Sequence, residues 1–159
     1  MLAAKILLLL ITANGAPIIL KKLLGNRWAW PVDGGLAVFD GQPLFGASKT
    51  WRGVVGSILF TGLAAKSLGF SLALGAVVAV GAMLGDLCSS FIKRRLGIRV
   101  SGMAPGLDQI PESLFPLLLL RDEWELTLGE MLELVTAFLV LSYAVSQVLY
   151  RLRIRMQPY

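Results

Sequence analysis

The 159-residue chain has no histidine and a single cysteine, Cys88. The first absence removes a histidine general base, a Ser/His/Asp triad and the usual zinc sites. The second excludes an internal disulfide and any CxxC metal motif. Charge is scarce as well. Asp, Glu, Lys and Arg make up 16% of the residues against 56% that are apolar, a balance foreign to an ordinary soluble domain of this size. Leu72 to Leu84 carries no charge at all. Of the charges present, 15 are basic and 10 acidic. In a soluble protein that excess would point to nucleic acid. Here the basic residues lie between long apolar runs, so nucleic acid is set aside for an anionic lipid surface or an anionic nucleotide.

Those runs organise residues 1–159 as one all-α membrane domain. A spanning helix needs about 20 mostly apolar residues. Leu2 to Leu20 satisfies this and ends at Lys21 and Lys22. Pro17 should kink it or end its regular part. The small-residue stretch ITANGA also fits a cleaved signal peptide, but the apolar run continues past it to the lysines, so a retained helix is expected. Residues 25–52, GNRWAWPVDGGLAVFDGQPLFGASKTWR, form a polar, glycine-rich and aromatic loop. Gly53–Phe70 and Ser71–Ile92 read as the second and third spans, with small residues suited to close packing in lipid. A second polar loop follows, over about 93–110. Ile110–Leu120 has only 11 residues and contains Pro111 and Pro116, so it is expected to be a kinked span or a re-entrant half-helix inside the bundle. Thr127–Glu130 is a capping box opening the last span, Leu128–Tyr150. With five spans and both long loops inside, the cytoplasmic side holds Lys21, Lys22, Arg27, Lys49, Arg52, Lys93, Arg94, Arg95, Arg99, Arg151, Arg153 and Arg155, and the outside only Lys5, Lys66 and Arg121. The N-terminus is then outside and the C-terminus cytoplasmic, in a multi-pass protein of the cell membrane.

At the end of the third span stands GDLCSSFIKRR, residues 85–95. At 100° per residue, Asp86, Ser90, Lys93 and Arg94 share one face. Lys93 and Arg94 alone could simply snorkel to the headgroups. A carboxylate in a membrane helix end is costly and therefore a functional signal. Asp108 in the second loop could be a helix N-cap, and Glu112 an ordinary first-turn acid. The first loop adds Lys49 and Arg52 among glycines, cations able to hold phosphate oxygens. Carboxylates and cations converging on one membrane face are what a magnesium nucleotide needs, because Mg²⁺ binds through one or two carboxylates plus substrate phosphates.

At these residues the chain resembles the membrane cytidylyltransferases, which include the CDP-diacylglycerol synthases and, closer in size, the CDP-archaeol synthases. KTWRGVVGS (Lys49–Ser57) looks like the first family signature, with Arg52 where the larger enzymes have an acid. Gly85, Asp86, Ser90, Lys93 and Arg94 match the second, G-D-x-x-x-S-x-x-K-R. PGLDQ (Pro105–Gln109) is similar to the P-x-x-D-Q segment of the archaeal-type branch. The resemblance implies CTP and a lipid phosphate as substrates, a CDP-activated lipid of CDP-archaeol or CDP-diacylglycerol type as product, and Mg²⁺, or Mn²⁺ in its place, as cofactor. It implies Asp86 and Asp108 on the metal, Lys93 acting with them at the reacting phosphate, and Lys49, Arg52 and Arg94 on the phosphates, with Ser48, Thr50 and Ser90 as hydroxyl donors. The family usually has a second aspartate three residues after Asp108. Here Pro111 stands there and Glu112 follows, so either Glu112 takes over that metal contact or the metal site is weakened. A CDP-alcohol phosphotransferase would need D-G-x-x-A-R, which is missing. The remaining alternative is a non-catalytic or transport-type small membrane protein related to this family.

The charge asymmetry makes a direct prediction. A reporter fused after Tyr159 should be cytoplasmic, and a cysteine replacing Lys66 should react with an impermeant reagent added from outside. An external C-terminus would refute the five-span orientation.

Overall fold

The computed structural model describes residues 1–102 and 104–153. They form five helices: α1 (Leu2–Leu24), α2 (Trp51–Ser67), α3 (Leu72–Arg95), α4 (Gln109–Leu119) and α5 (Leu128–Arg151). No strand is formed among the described residues; the first loop holds two isolated bridges, Pro31 with Thr50 and Ala37 with Pro43.

The helices start where side chains can satisfy their free N–H groups. Thr50 accepts from the Gly53 amide at 3.3 Å, and Ser71 from that of Leu74 at 3.0 Å. The expected capping box is complete: Thr127 N donates to Glu130 Oε2 at 2.9 Å, and Glu130 N to Thr127 Oγ1 at 3.3 Å. Between α2 and α3 the chain turns at Gly69, whose φ of +86° lies in the left-handed region that glycine adopts freely.

By length and composition α1, α3 and α5 are long and apolar enough to cross a membrane, so the protein is multi-pass. The other two expected spans are the short ones, yet the chain passes between opposite ends of α1 at both: Arg52 reaches the Gly25 carbonyl, Lys5 the Leu68 carbonyl, and Phe70 packs on Trp124. At 17 and 11 residues, α2 and α4 rise only about 25 and 16 Å. As expected for α4, Ser113, Pro116 and Leu117 are buried against the bundle, although Leu118 and Leu119 face outward.

Packing is set by glycines on α3. A Cβ on Gly75 would lie 2.6 Å from the Thr61 carbonyl oxygen and 2.7 Å from Gly62 Cα, so α2 approaches there backbone to backbone. One on Gly81 would lie 2.8 Å from Pro116 Cα, and one on Gly85 would overlap the Pro111 carbonyl, so α4 approaches on another face. Without a hydrophobic drive between helices in lipid, such close contact is the main source of association. An apolar core of Ile6, Leu9, Leu10, Val78, Leu117 and Phe138, with Trp124 at its margin, joins α1, α3, α4 and α5.

Of the two outcomes expected at Pro17, an end to the helix is excluded, since α1 runs on to Leu24. Proline lacks the N–H that would pair with the carbonyl four residues earlier, that of Ala13. Ser57 of α2 supplies the missing donor: its buried hydroxyl reaches the Ala13 oxygen at 2.8 Å. Ser57→Ala should therefore cost about 1–3 kcal/mol by leaving a buried acceptor unpaired. The same change in a Pro17→Ala background, where the backbone N–H is restored, should cost much less. Thermal unfolding of the four proteins in detergent tests this, and equal costs in the two backgrounds would refute the coupling.

Candidate active site

Three chain segments meet at one end of the bundle: the residues leading into α2, the last turns of α3 and the first turn of α4. The α3–α4 contact at Gly85 carries Glu112 and Asp108 to the face of α3 that bears Asp86. Lys49, just before α2, donates to both Asp86 oxygens at 2.5 and 2.6 Å. Burial works against its ammonium, but the adjacent Asp86 charge, with Glu112 and Asp108 further off, outweighs burial and holds its pKa above the ordinary lysine value. The Glu112 backbone lies against Gly85, the residue before Asp86, which brings its carboxyl into the fields of Asp86, Lys49 and Asp108. The proline at 111 therefore does not turn Glu112 away; the glutamate enters the cluster from the next position.

Lys93 and Arg94 do not snorkel. They are 6% and 3% exposed, turned inward at the end of α3. Lys93 Nζ lies 2.6 Å from Asp108 Oδ1 and donates to the Gly102 carbonyl at 3.1 Å. Asp108 Oδ1 lies off the hydrogen-bond direction and is held by charge alone, while Oδ2 accepts from the Ala104 amide at 3.1 Å. Although Asp108 occupies the N-cap position of α4, its side chain caps no helical N–H. The N-cap reading fails because the carboxylate is drawn to Lys93. Arg94 donates to the Arg99 carbonyl at 2.9 Å. Its Nε and the Ser90 hydroxyl, one turn back on α3, are buried without hydrogen-bond partners. Two buried donors left open beside a cation suit an oxygen-rich anion.

The remaining sequence candidates are placed differently. Thr50 Oγ1 serves as the N-cap of α2, and Ser48 is half-buried in the turn before Lys49. Arg52 is not at the cluster. Its Nη1 donates to the Gly25 carbonyl at 3.0 Å and to that of Arg27 at 2.5 Å, because the first helical turn of α2 points it at the end of α1.

Two residues that were not among the site candidates shape the loop that presents Lys49. Asp33 is buried, and its carboxylate accepts from the amides of Gly35, Phe45 and Gly46 at 3.0, 3.0 and 2.9 Å. Burial pushes its pKa up, but these N–H groups outweigh that and leave it below the ordinary value. Its contribution is therefore present above the unfolded-state pKa near 3.8 and is lost as pH falls through the folded one. Arg95 pairs with Asp40 at 3.1 Å, donates to the Pro43 carbonyl at 2.7 Å and sits 5.0 Å from the centre of the Phe91 ring. It thus fastens the first loop to the end of α3. The Asp-Gly-Gly turn was a visible signal for Asp33; nothing local distinguished Arg95 from its basic neighbours.

Asp86, Asp108 and Glu112 offer only hard oxygen donors, and one Asp108 oxygen has no hydrogen bond. That chemistry fits a divalent cation such as Mg²⁺. Among the described residues the three are not gathered at coordinating geometry; the two aspartates are turned to Lys49 and Lys93.

Residues 2–159 match the family model described as CarS-like CDP-archaeol synthase. The chain is 40% identical over 106 residues to a CDP-archaeol synthase of Hyperthermus butylicus, an alignment covering 63% of this chain and only 60% of that protein. With the CDP-archaeol synthase of Pyrococcus furiosus the identity is 31% over 157 residues, 92% of this chain and 90% of the relative. A solved intramembrane enzyme for archaeal membrane lipids biosynthesis superposes with a TM-score of 0.71 at 32% identity, covering 90% of this chain and 91% of that one. The signatures at Lys49 and Gly85, the convergence of their side chains and these matches agree: the chain belongs to the CDP-archaeol synthase family.

Proposed function

We propose that the protein is a CTP-dependent cytidylyltransferase that makes a CDP-activated membrane lipid of CDP-archaeol type. A phosphate oxygen of the lipid attacks the α-phosphorus of CTP. The bond between α-phosphorus and the bridging oxygen breaks, and pyrophosphate leaves. The observation that carries this reading is the meeting of Asp86, Asp108 and Glu112 with Lys49, Lys93 and Arg94 at the ends of membrane helices, where a lipid headgroup and a soluble nucleotide can both arrive.

Such a transfer needs little covalent help and much charge neutralisation. Lys49 and Lys93 are positioned to exchange their carboxylate partners for phosphate oxygens. Arg94 Nε and the Ser90 hydroxyl add donors already directed inward. Asp86 and Asp108, with Glu112 in place of the family's second aspartate, would hold Mg²⁺, which when bound neutralises triphosphate charge. The charge asymmetry between loops supports a site facing the cytoplasm, where CTP is found.

Asp86→Asn keeps size and removes charge, so it should lower turnover by about 10²-fold or more, as should Asp108→Asn. Pyrophosphate release from CTP with an archaeol-type lipid phosphate and Mg²⁺, measured on protein in detergent, reads this. Because each aspartate neutralises a lysine, the unfolding temperature of each variant should be measured alongside. Wild-type turnover in either folded variant would refute the assignment.

Glu112→Gln separates two versions of the metal site. If Glu112 substitutes for the missing aspartate, the variant should be about as impaired as Asp86→Asn, and raising Mg²⁺ should partly restore its rate. A near-normal rate at limiting Mg²⁺ would remove Glu112 from the metal.

A further inference from the structure

We propose that the corner where α1 and α5 end together binds the anionic headgroup of a bilayer lipid, apart from the carboxylate cluster. Lys22 Nζ donates to the Arg153 carbonyl at 3.0 Å across 131 positions of sequence. That bond places the last turn of α1 beside the end of α5. Lys21, Lys22, Arg151 and Arg153 are all exposed there, and none joins the Lys49–Asp86 or Lys93–Asp108 pairs.

Among the described residues no acidic side chain pairs with this corner. Residues 1–32 and 134–159 contain no Asp or Glu. The next acid along, Asp33, has both oxygens engaged by backbone amides, and Asp40 is paired with Arg95. Capping of two helix C-termini does not account for four cations, because each terminus offers only about half a negative charge. An external anion can therefore pair with these cations without displacing an internal carboxylate.

The depth of the corner identifies the source of that anion. The four residues lie at the ends of two membrane-crossing helices, the level of the lipid headgroups. Leu23, Trp28 and Trp30 beside them are 73%, 63% and 69% exposed. Tryptophan is enriched at this interface, and basic clusters between helix ends bind anionic headgroups. Two lysines supply compact charges and two arginines planar donor forks, a set suited to a phosphate-bearing headgroup.

The test uses the full chain reconstituted in phosphatidylcholine nanodiscs with spin-labelled lipids. A phosphatidylglycerol probe, a phosphodiester that cannot serve as the attacking lipid phosphate, should be held at the protein surface in preference to a phosphatidylcholine probe. The fourfold variant K21Q/K22Q/R151Q/R153Q should reduce that preference at least about fivefold, the effect of a single basic residue near an anionic surface. The charge-preserving variant R151K/R153K should keep most of it and controls for damage to the helix ends. Unchanged preference in the fourfold variant would overturn the proposal, as would competition by inorganic phosphate at millimolar concentration. Cytidylyl transfer at saturating substrate should be the same in wild type and variant, so the result does not depend on the catalytic assignment.

Discussion

Inside a bilayer no water is available to pair a polar group that the protein leaves open, and each such group costs several kcal/mol. The fold is arranged around that constraint. Pro17 opens the Ala13 carbonyl, and Ser57 closes it from the neighbouring helix. Asp86 lies near the end of an otherwise apolar helix and is met by Lys49. Lys93 and Arg94 turn inward and find Asp108 and loop carbonyls. The same pairing that makes the charges tolerable assembles the chemical groups of the site.

Close backbone contact gives that assembly its geometry. With Gly75 on one face of α3 and Gly81 and Gly85 on another, α2 and α4 approach to distances that any side chain would forbid. Gly85 therefore has a role beside its aspartate. It seats the Pro111 backbone, and through it Glu112, next to Asp86. The short helix α4 serves here as a bracket for two carboxylates.

The loops are equally constrained. Asp33 gathers three amides of the first loop, and Arg95 ties its far side to α3, so Lys49 is delivered from a folded segment. Loose, a lysine on so long a loop would lose much of its entropy on meeting Asp86. At the opposite extreme, the basic ends of α1 and α5 have no acidic partner among the described residues and are exposed. The protein thus separates cations that complete a site from cations that meet the lipid.

The sequence by itself determined the all-helical membrane class, the capping box at Thr127 and the stripe of Asp86, Ser90, Lys93 and Arg94. These follow from local rules: apolar length against bilayer thickness, helical periodicity and the hydrogen bonding of a helix start. It also marked Asp108 and Glu112, but left each with a second reading, as a cap and as an ordinary first-turn acid. Tertiary structure removed the cap reading of Asp108, because the approach of α4 to Gly85 brings that carboxylate to Lys93, and it set the Glu112 backbone against Gly85. It likewise turned Arg52 away to the end of α1, made Thr50 a cap and let α1 continue past Pro17. Each of these outcomes depends on a partner distant in the chain, and no local pattern records where such a partner will lie.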